Sequence, residues 1–228
     1  MLHFSFLLLK AGFFFLFCLV LAGIEVEAEG KCGWAEKMPT WYRTRGLAAK
    51  IYMKILGGRP LTGYHSFMFI FPLLIFHVQF FMGLAWSLKG ELVSLAMYFV
   101  AMCLWDFLWF ILNPHYKWEK FKPQNIWWHS KSPWVGGLPL DYFISWGISI
   151  LFAALAGWVA SNFNVLTDHL LLLLLLFLFT VITIFFSPYY HKWYWRMRKE
   201  DDRSSAGIFH TLPDPGVGCG KNQNQNKN

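Results

Sequence analysis

Four long apolar runs constrain the fold of this chain more than any other feature. They cover residues 64–88, 92–113, 140–161 and 167–187. Each is close to the roughly 20 residues that an α-helix needs to cross the hydrocarbon core of a bilayer. The composition agrees, because 56% of the 228 residues are hydrophobic and only 14% are charged, whereas a soluble domain is about 25% charged. The sequence therefore predicts an all-α, polytopic membrane helical bundle with four core transmembrane helices.

A fifth apolar run, residues 2–24, is interrupted by Lys10. One interpretation is that residues 1–27 form an N-terminal transmembrane segment or signal anchor, with Lys10 extending toward the outer surface. The alternative is a signal peptide cleaved after Ala28. No Lys or Arg precedes Lys10, although the first residues of a signal peptide normally carry positive charge. We therefore favour the uncleaved segment, with the N-terminus outside.

The basic residues are strongly biased to one side of the predicted bundle. Residues 28–63, residues 114–139 and the tail after position 187 hold 18 of the 20 Lys and Arg residues, whereas the connections 89–91 and 162–166 hold only Lys89. Four consecutive spans place the three basic segments on the same side. The excess of Lys and Arg predicts that this side, including the C-terminus, is cytoplasmic. Removal of a signal peptide would instead leave the segment 28–63 outside.

The basic segments are also rich in Trp and Tyr, and residues 114–139 interleave these rings with lysines. This pattern predicts an interfacial segment, with the rings in the headgroup layer and the lysines on anionic lipid phosphates. The net charge of +7 therefore indicates an anionic bilayer surface as the partner, together with membrane-protein partners or a second copy of the chain. No RNA-binding signature is present, and we expect no nucleic-acid partner.

The chain divides into four parts on these grounds. After the N-terminal segment 1–27 comes a basic cytoplasmic juxtamembrane segment, 28–63. Residues 64–195 form the four-helix transmembrane domain. The polar tail, 196–228, is predicted to be mostly disordered after Arg203, because it is rich in Pro, Gly and Asn.

A weak internal repeat is visible where the spans begin and end. The second and fourth runs, counted from the N-terminus, begin with "PLTGYHSF" and "PLDYFISW", and the third and fifth end with "LNPHYKW" and "FSPYYHKW". One hypothesis is a duplicated helical hairpin, in which 60–118 superposes on 139–194. The alternative is convergence, with Thr62 and Asp141 as N-caps and Pro114 and Pro188 as helix stops.

Asp106 is the most informative single residue. It lies seven residues before Asn113, which places it about 10 Å below the end of its span. A carboxylate that faces lipid at this depth is costly, so Asp106 is predicted to face the interior of the bundle. Asp106, His115 and His129 are our candidate catalytic residues on the cytoplasmic side.

Several of the eight histidines fall near the same predicted surface, which makes a transition-metal site a second interpretation. The predicted ligands are His65, His115, His191 and Asp106. The alternative is that these histidines bond to carbonyl groups at helix ends. His77 lies in the middle of a span and is a candidate cofactor ligand, for haem, or a proton carrier. A hydrogen bond from His77 to a neighbouring helix is the competing explanation.

Three functions remain open from the sequence. The one we favour at this stage is a non-catalytic subunit or scaffold of a membrane assembly, because no catalytic motif is recognisable. The second is a membrane-interface enzyme that acts on a lipid or other amphipathic substrate through the cytoplasmic His and Asp residues. The third is a proton or electron carrier, or a transporter, that uses His77 and Asp106.

Overall fold

The computed structural model describes residues 2–116 and 120–200, and these residues are mostly helical. In chain order the elements are α1 (Leu2–Glu29), β1 (Tyr42–Arg43), α2 (Leu47–Ile55), β2 (Leu61–Thr62), α3 (Gly63–Phe81), α4 (Leu88–Leu112), β3 (Trp134–Val135), β4 (Leu138–Pro139), α5 (Leu140–Val159) and α6 (Asn164–Lys199). Every one of these helices except the short α2 is long and apolar enough to cross a membrane. The prediction of a largely helical chain with several potential spans is confirmed. The part of the tail predicted to be disordered, after Arg203, lies outside the described residues, which end at residue 200.

The central helix of the bundle is α4. It contacts α1, α3, α5 and α6, and 61% of its most apolar stretch is buried, against 11–39% in the other four long helices. Two serines tie α5 to it, since Ser145 Oγ donates to the Phe99 carbonyl (2.7 Å) and Ser149 Oγ donates to the Ala96 carbonyl (2.8 Å). Hydrogen bonds of this kind hold helices together where the surroundings are apolar. The other four long helices therefore lie around α4.

The longest helix, α6, continues through Pro188, so the prediction that Pro188 ends a helix is wrong. Proline has no N–H group, which leaves the carbonyl four residues earlier without its helical partner. That carbonyl belongs to Ile184, and Ser187 Oγ donates to it at 2.9 Å. The side chain replaces the missing backbone donor, and α6 extends to Lys199. At 1.5 Å per residue its 36 residues span about 54 Å.

Only one of the two predicted N-cap residues caps its helix. Thr62 caps α3 as predicted, because its Oγ1 accepts the His65 N–H at 3.1 Å. Asp141 is not an N-cap, since α5 begins one residue before it and Asp141 instead binds Arg59.

A two-residue hairpin precedes α5. Trp134 pairs with Pro139 and Val135 pairs with Leu138, and the turn consists of Gly136 and Gly137, whose φ angles are 58° and 84°. A tight hairpin turn of this type needs positive φ at both central positions, which glycine adopts without steric cost. The hairpin thereby fixes where the chain enters α5.

The long helices alternate in direction. His3 at the start of α1 lies 2.9 Å from Asp168 near the start of α6. At the other end of the bundle, the C-terminal parts of α1 and α4 lie beside the N-terminal parts of α3 and α5. We call this second end the basic end, because the segments that connect there are those rich in Lys and Arg. The candidate site lies at the basic end.

Candidate functional site

A polar cavity of about 130 Å³ lies inside the basic end of the bundle. Four helices and two connecting segments contribute its walls. Its lining residues are Glu25, Trp34, Leu56, Arg59, His65, Phe69, Met102, Cys103, Trp105, Asp106, His129, Asp141, Tyr142 and Ser145. Ionisable side chains are normally excluded from an apolar bundle, so their concentration here marks a candidate functional site.

Asp106 faces this cavity from α4. Its Oδ2 atom accepts a hydrogen bond from His129 Nε2 at 3.2 Å and another from the hydroxyl group of Tyr142. The two donors come from different parts of the chain, since His129 lies in the connection before the hairpin and Tyr142 lies on α5. Both bonds favour the ionised carboxylate, because both partners donate to it.

Arg59 determines how His129 is protonated. The guanidinium group donates from Nε to the Trp128 carbonyl (2.7 Å) and from Nη2 to His129 Nδ1 (2.6 Å) and Asp141 Oδ2 (2.7 Å). An arginine can only donate, so Nδ1 of His129 must accept. The proton of the neutral ring therefore lies on Nε2, where it donates to Asp106. Burial, and then the charge of Arg59, lower the pKa of the His129 imidazole, which agrees with a neutral ring.

A second group of ionisable residues meets the cavity where α1 ends. His65 Nε2 lies 3.8 Å from Glu25 Oε1 and 3.8 Å from Glu29 Oε1, and all three side chains are buried. The indole of Trp105 donates to Glu25 Oε2 at 2.5 Å, and the backbone N–H of Ala35 donates to Glu29 Oε1 at 2.5 Å. These bonds fix the orientation of both carboxylates.

The structure brings some of the predicted residues together and not others. Asp106, His129 and His65 all line the polar cavity. His115 and His191 are not among its lining residues: the His115 ring packs edge-on against Trp195, with a centroid distance of 4.9 Å, and His191 Nε2 lies 2.9 Å from the Ile111 carbonyl. Burial, and then nearby basic groups, lower the pKa of His115. The catalytic role of His115 and the four-residue metal set stay predictions, and the geometry does not assemble that set.

His77 lies on α3 toward the end opposite the polar cavity. Its Nδ1 is 2.6 Å from the Leu73 carbonyl and its Nε2 is 3.0 Å from Glu91 Oε1 on α4. Both ring nitrogens therefore have partners within the protein. This arrangement fits a hydrogen bond between helices better than it fits a cofactor ligand. The role of His77 as a cofactor ligand stays a prediction.

Sequence reasoning missed four residues at this site: Glu25, Arg59 and Tyr142, which line the cavity, and Glu29, which lies close to His65. The two glutamates are four residues apart and so share a helical face, but the segment "IEVEAEG" resembles a cleavage region as much as a helix end. Arg59 is one of seven basic residues in segment 28–63, and Tyr142 lies within the repeat motif "PLDYFISW". Their spacing in the sequence gives no sign that they meet.

A larger, apolar cavity of about 540 Å³ lies between α4, α5, α6 and the glycine turn of the hairpin. It shares Cys103 and Tyr142 with the polar cavity. The lining residues are Cys103, Leu104, Phe107, Gly136, Gly137, Leu138, Tyr142, Trp146, Ile150, Leu173, Leu176, Phe177, Thr180, Val181 and Ile184. Its volume is in the range that small-molecule sites occupy. A polar compartment and an apolar one thus adjoin at Tyr142.

No protein-family model, curated protein or solved structure matches this chain. The functional assignment therefore depends on the geometry of the two cavities.

Proposed function

We propose that this protein is an integral membrane enzyme that performs acid–base chemistry on the polar group of an amphipathic lipid. The observation that carries the proposal is that the two cavities are neighbours and share Cys103 and Tyr142 in their walls. The chain of such a substrate occupies the apolar cavity, and its polar group enters the polar cavity. A long-chain amphipathic substrate needs a polar site for its headgroup and an apolar site for its chain. The polar cavity and the apolar cavity lie side by side in this part of the protein.

Asp106 is the catalytic base in this proposal. Its Oδ2 atom is held by Tyr142 and His129, which leaves Oδ1 for the substrate. Tyr142 lines both cavities, so its hydroxyl group is placed to exchange a proton with a substrate at the junction. His129 and Arg59 are positioning residues: Arg59 binds Nδ1 of His129, and this orients Nε2–H toward Asp106.

The proposal also assigns a side of the membrane. Since 18 of the 20 Lys and Arg residues belong to the three segments that the sequence predicts on one side, we place the site at the cytoplasmic leaflet. Lysines and arginines there attract anionic headgroups. We expect the exposed Trp and Tyr residues of the same segments, such as Trp41, Tyr189 and Trp193, to lie at the interface.

The scaffold hypothesis explains the apolar outer faces of α1, α3 and α6 but not the buried ionisable residues. Lipid contact alone accounts for exposed apolar side chains such as Phe67, Phe81 and Phe185. A scaffold has no need for a carboxylate that two other segments must satisfy. For this reason the geometry favours the enzyme, which the sequence alone ranked second.

The first test asks whether a lipid occupies the apolar cavity. Val181 lines this cavity, whereas the next residue, Ile182, is 51% exposed and points outward. The wild type, Val181→Trp and Ile182→Trp proteins are purified in detergent, and their organic extracts are compared with the total membrane extract by mass spectrometry. We expect one amphipathic species to be enriched in the wild type and in Ile182→Trp, and to fall about tenfold in Val181→Trp, because the indole fills the cavity.

The same extracts distinguish an enzyme from a lipid-binding scaffold. Asp106→Asn preserves shape but removes the base, so this variant should retain the bound species in its unreacted form, while the wild type holds a mixture of substrate and product. Identical bound species in wild type and Asp106→Asn would contradict the enzymatic role. The absence of any enriched species from the wild type would contradict the proposal as a whole.

A further inference from the structure

We propose that Glu25, Glu29 and His65 bind one divalent transition-metal ion. The inference goes beyond the proposed reaction and does not depend on it. The three residues come from the end of α1 and the start of α3, and Glu25 and His65 line the polar cavity. One ligand atom from each of the three lies within 4.8 Å of the other two.

The distances between these side chains fit ligands better than hydrogen-bond partners. His65 Nε2 lies 3.8 Å from each carboxylate, beyond the roughly 2.7–3.2 Å of a hydrogen bond. Nitrogen and oxygen ligands lie about 2.0–2.2 Å from an ion such as Zn²⁺, which puts two of them on the order of 3–4 Å apart. Both distances from His65 fall in this range, and the ligand atoms of the two glutamates lie within 4.8 Å of each other.

The second observation is the unpartnered nitrogen of His65. The His65 side chain is 4% exposed, and its Nδ1 atom lies 2.9 Å from Thr62 Oγ1. Among residues 2–116 and 120–200, Nε2 has no hydrogen-bond partner and is directed at the two carboxylates. The indole of Trp34 stacks on the imidazole, with ring centroids 4.0 Å apart and planes 14° apart. A metal-binding histidine is typically held in this way, with the other ring nitrogen bonded and one nitrogen left for the ion.

The negative charges of Glu25 and Glu29 also favour binding of a cation. Glu25 and Glu29 occupy one face of α1, and in the part of the chain that the structure describes their only ion-pair partner is His65. Two adjacent buried carboxylates repel each other unless a proton or a positive ion lies between them. Trp105 N–H and Ala35 N–H each donate to one carboxylate, which orients the oxygens but adds no charge.

The ligand types select the class of metal. Imidazole with carboxylates suits Zn²⁺, Fe²⁺ or Mn²⁺, whereas Mg²⁺ and Ca²⁺ prefer oxygen ligands alone. Three protein ligands leave further coordination positions free. Since Glu25 and His65 border the cavity, a free position faces the space beside Asp106.

The test is the metal content of the full-length protein. The wild type is purified without chelators and its metals are measured by mass spectrometry, and the protein is then stripped and titrated with Co²⁺ while the visible absorption is recorded. We expect about one transition-metal ion per chain, and a Co²⁺ spectrum typical of oxygen and nitrogen ligands. Wild-type protein that is free of metal and takes up no Co²⁺ would overturn the proposal.

Matched variants identify the ligands. Glu25→Gln, Glu29→Gln and His65→Gln should each lower bound metal at least tenfold. Glu27→Gln, on the same helix but exposed, and His191→Gln, which removes a histidine predicted from the sequence, should retain it. Equal metal in His65→Gln and Glu27→Gln would contradict the assigned ligands. If the ligand variants fail to fold, the Co²⁺ titration of the wild type still decides.

One comparison separates this inference from the proposed function. Val181→Trp alters only the apolar cavity, so it should lose lipid and retain metal. A protein that binds metal but no lipid would overturn the proposed substrate and leave the ion site intact. A protein that binds lipid but no metal would do the reverse.

Discussion

His129 lies between the Arg59 guanidinium group and the Asp106 carboxylate, so its protonation is coupled to folding. A second proton on the ring would have to go to Nδ1, where it would displace the bond from Arg59. Burial and Arg59 lower the pKa of this imidazole below its ordinary value, which is about 6.5 in an unfolded chain. Below pH 6.5, His129 therefore binds a proton in the unfolded state but remains neutral in the folded state.

The consequence is a loss of stability in acid. Since the unfolded state binds more protons, the free energy of unfolding falls as the pH drops from about 6.5 toward the lowered pKa, by up to about 1.4 kcal/mol per pH unit for this one group. Thermal unfolding in detergent at pH 7.5 and pH 5.0 measures the effect. His129→Gln should be less stable at pH 7.5 but should lose less stability on acidification than the wild type does.

Tyr142→Phe is the matched control for this measurement. It removes the other hydrogen bond to Asp106 but no histidine. It should be destabilised at both pH values and keep the wild-type dependence on pH. The same dependence in His129→Gln as in the wild type would show that His129 does not couple folding to pH.

At the level of single residues, the sequence could predict which polar groups must be buried but not their partners. The depth of Asp106 in its span indicated that it faces inward, and His129 was proposed with it. The donors to Asp106 are 23 and 36 residues away along the chain, and Asp141 lies 82 residues from Arg59. Those pairings depend on how each helix is rotated about its axis, and the residue pattern within a single helix does not predict that rotation.

The positions of helices can be predicted from contiguous sequence more reliably than side-chain partners can. Where such a prediction fails, a neighbouring residue explains the failure. The apolar runs predicted every long helix, because length and hydropathy are properties of a continuous segment. The prediction that the last helix ends at Pro188 is wrong because Ser187 donates the hydrogen bond that the proline cannot donate. Its effect depends on a rotamer that the sequence does not specify.

The hairpin before α5 provides a test at this scale. Gly137 has a φ of 84°, so Gly137→Ala forces a side chain into the left-handed region and should lower the free energy of unfolding by about 1 kcal/mol. Gly147 lies within α5, and a Cβ atom there would meet nothing within 4 Å. Gly147→Ala should therefore have the opposite sign and stabilise the helix by about 0.5–1 kcal/mol. Equal melting temperatures for the two variants would contradict the conformational argument.

For the molecule as a whole, the sequence predicted the class of fold but not the arrangement of the helices. Nothing in the apolar runs identifies α4 as the central helix, because all five long helices are strongly apolar. The superposition of 60–118 on 139–194 stays a prediction. The two hairpins differ at their exits, since α4 ends before Pro114 whereas α6 continues beyond Pro188.

Topology can be tested directly. The proposed orientation places the connection 162–166 outside and the end of α6 in the cytoplasm, because of the distribution of Lys and Arg. Reporter fusions in that connection and after residue 203 should give opposite signals, of which only the second is cytoplasmic. A third fusion at residue 130, in the connection between α4 and α5, should match the second. Matching signals from residues 164 and 203 would contradict the orientation.

The meeting of four helices at one polar cavity also bears on how the protein is made. The ribosome completes α1 first, so Glu25 and Glu29 leave it before His65 does. Asp106 follows on α4, and its donors His129 and Tyr142 are synthesised only afterwards. During this interval its carboxylate lacks these partners in an apolar medium, at a cost on the order of a few kcal/mol. In the proposed topology, we therefore expect the insertion machinery to keep α4 away from lipid until α5 packs against it.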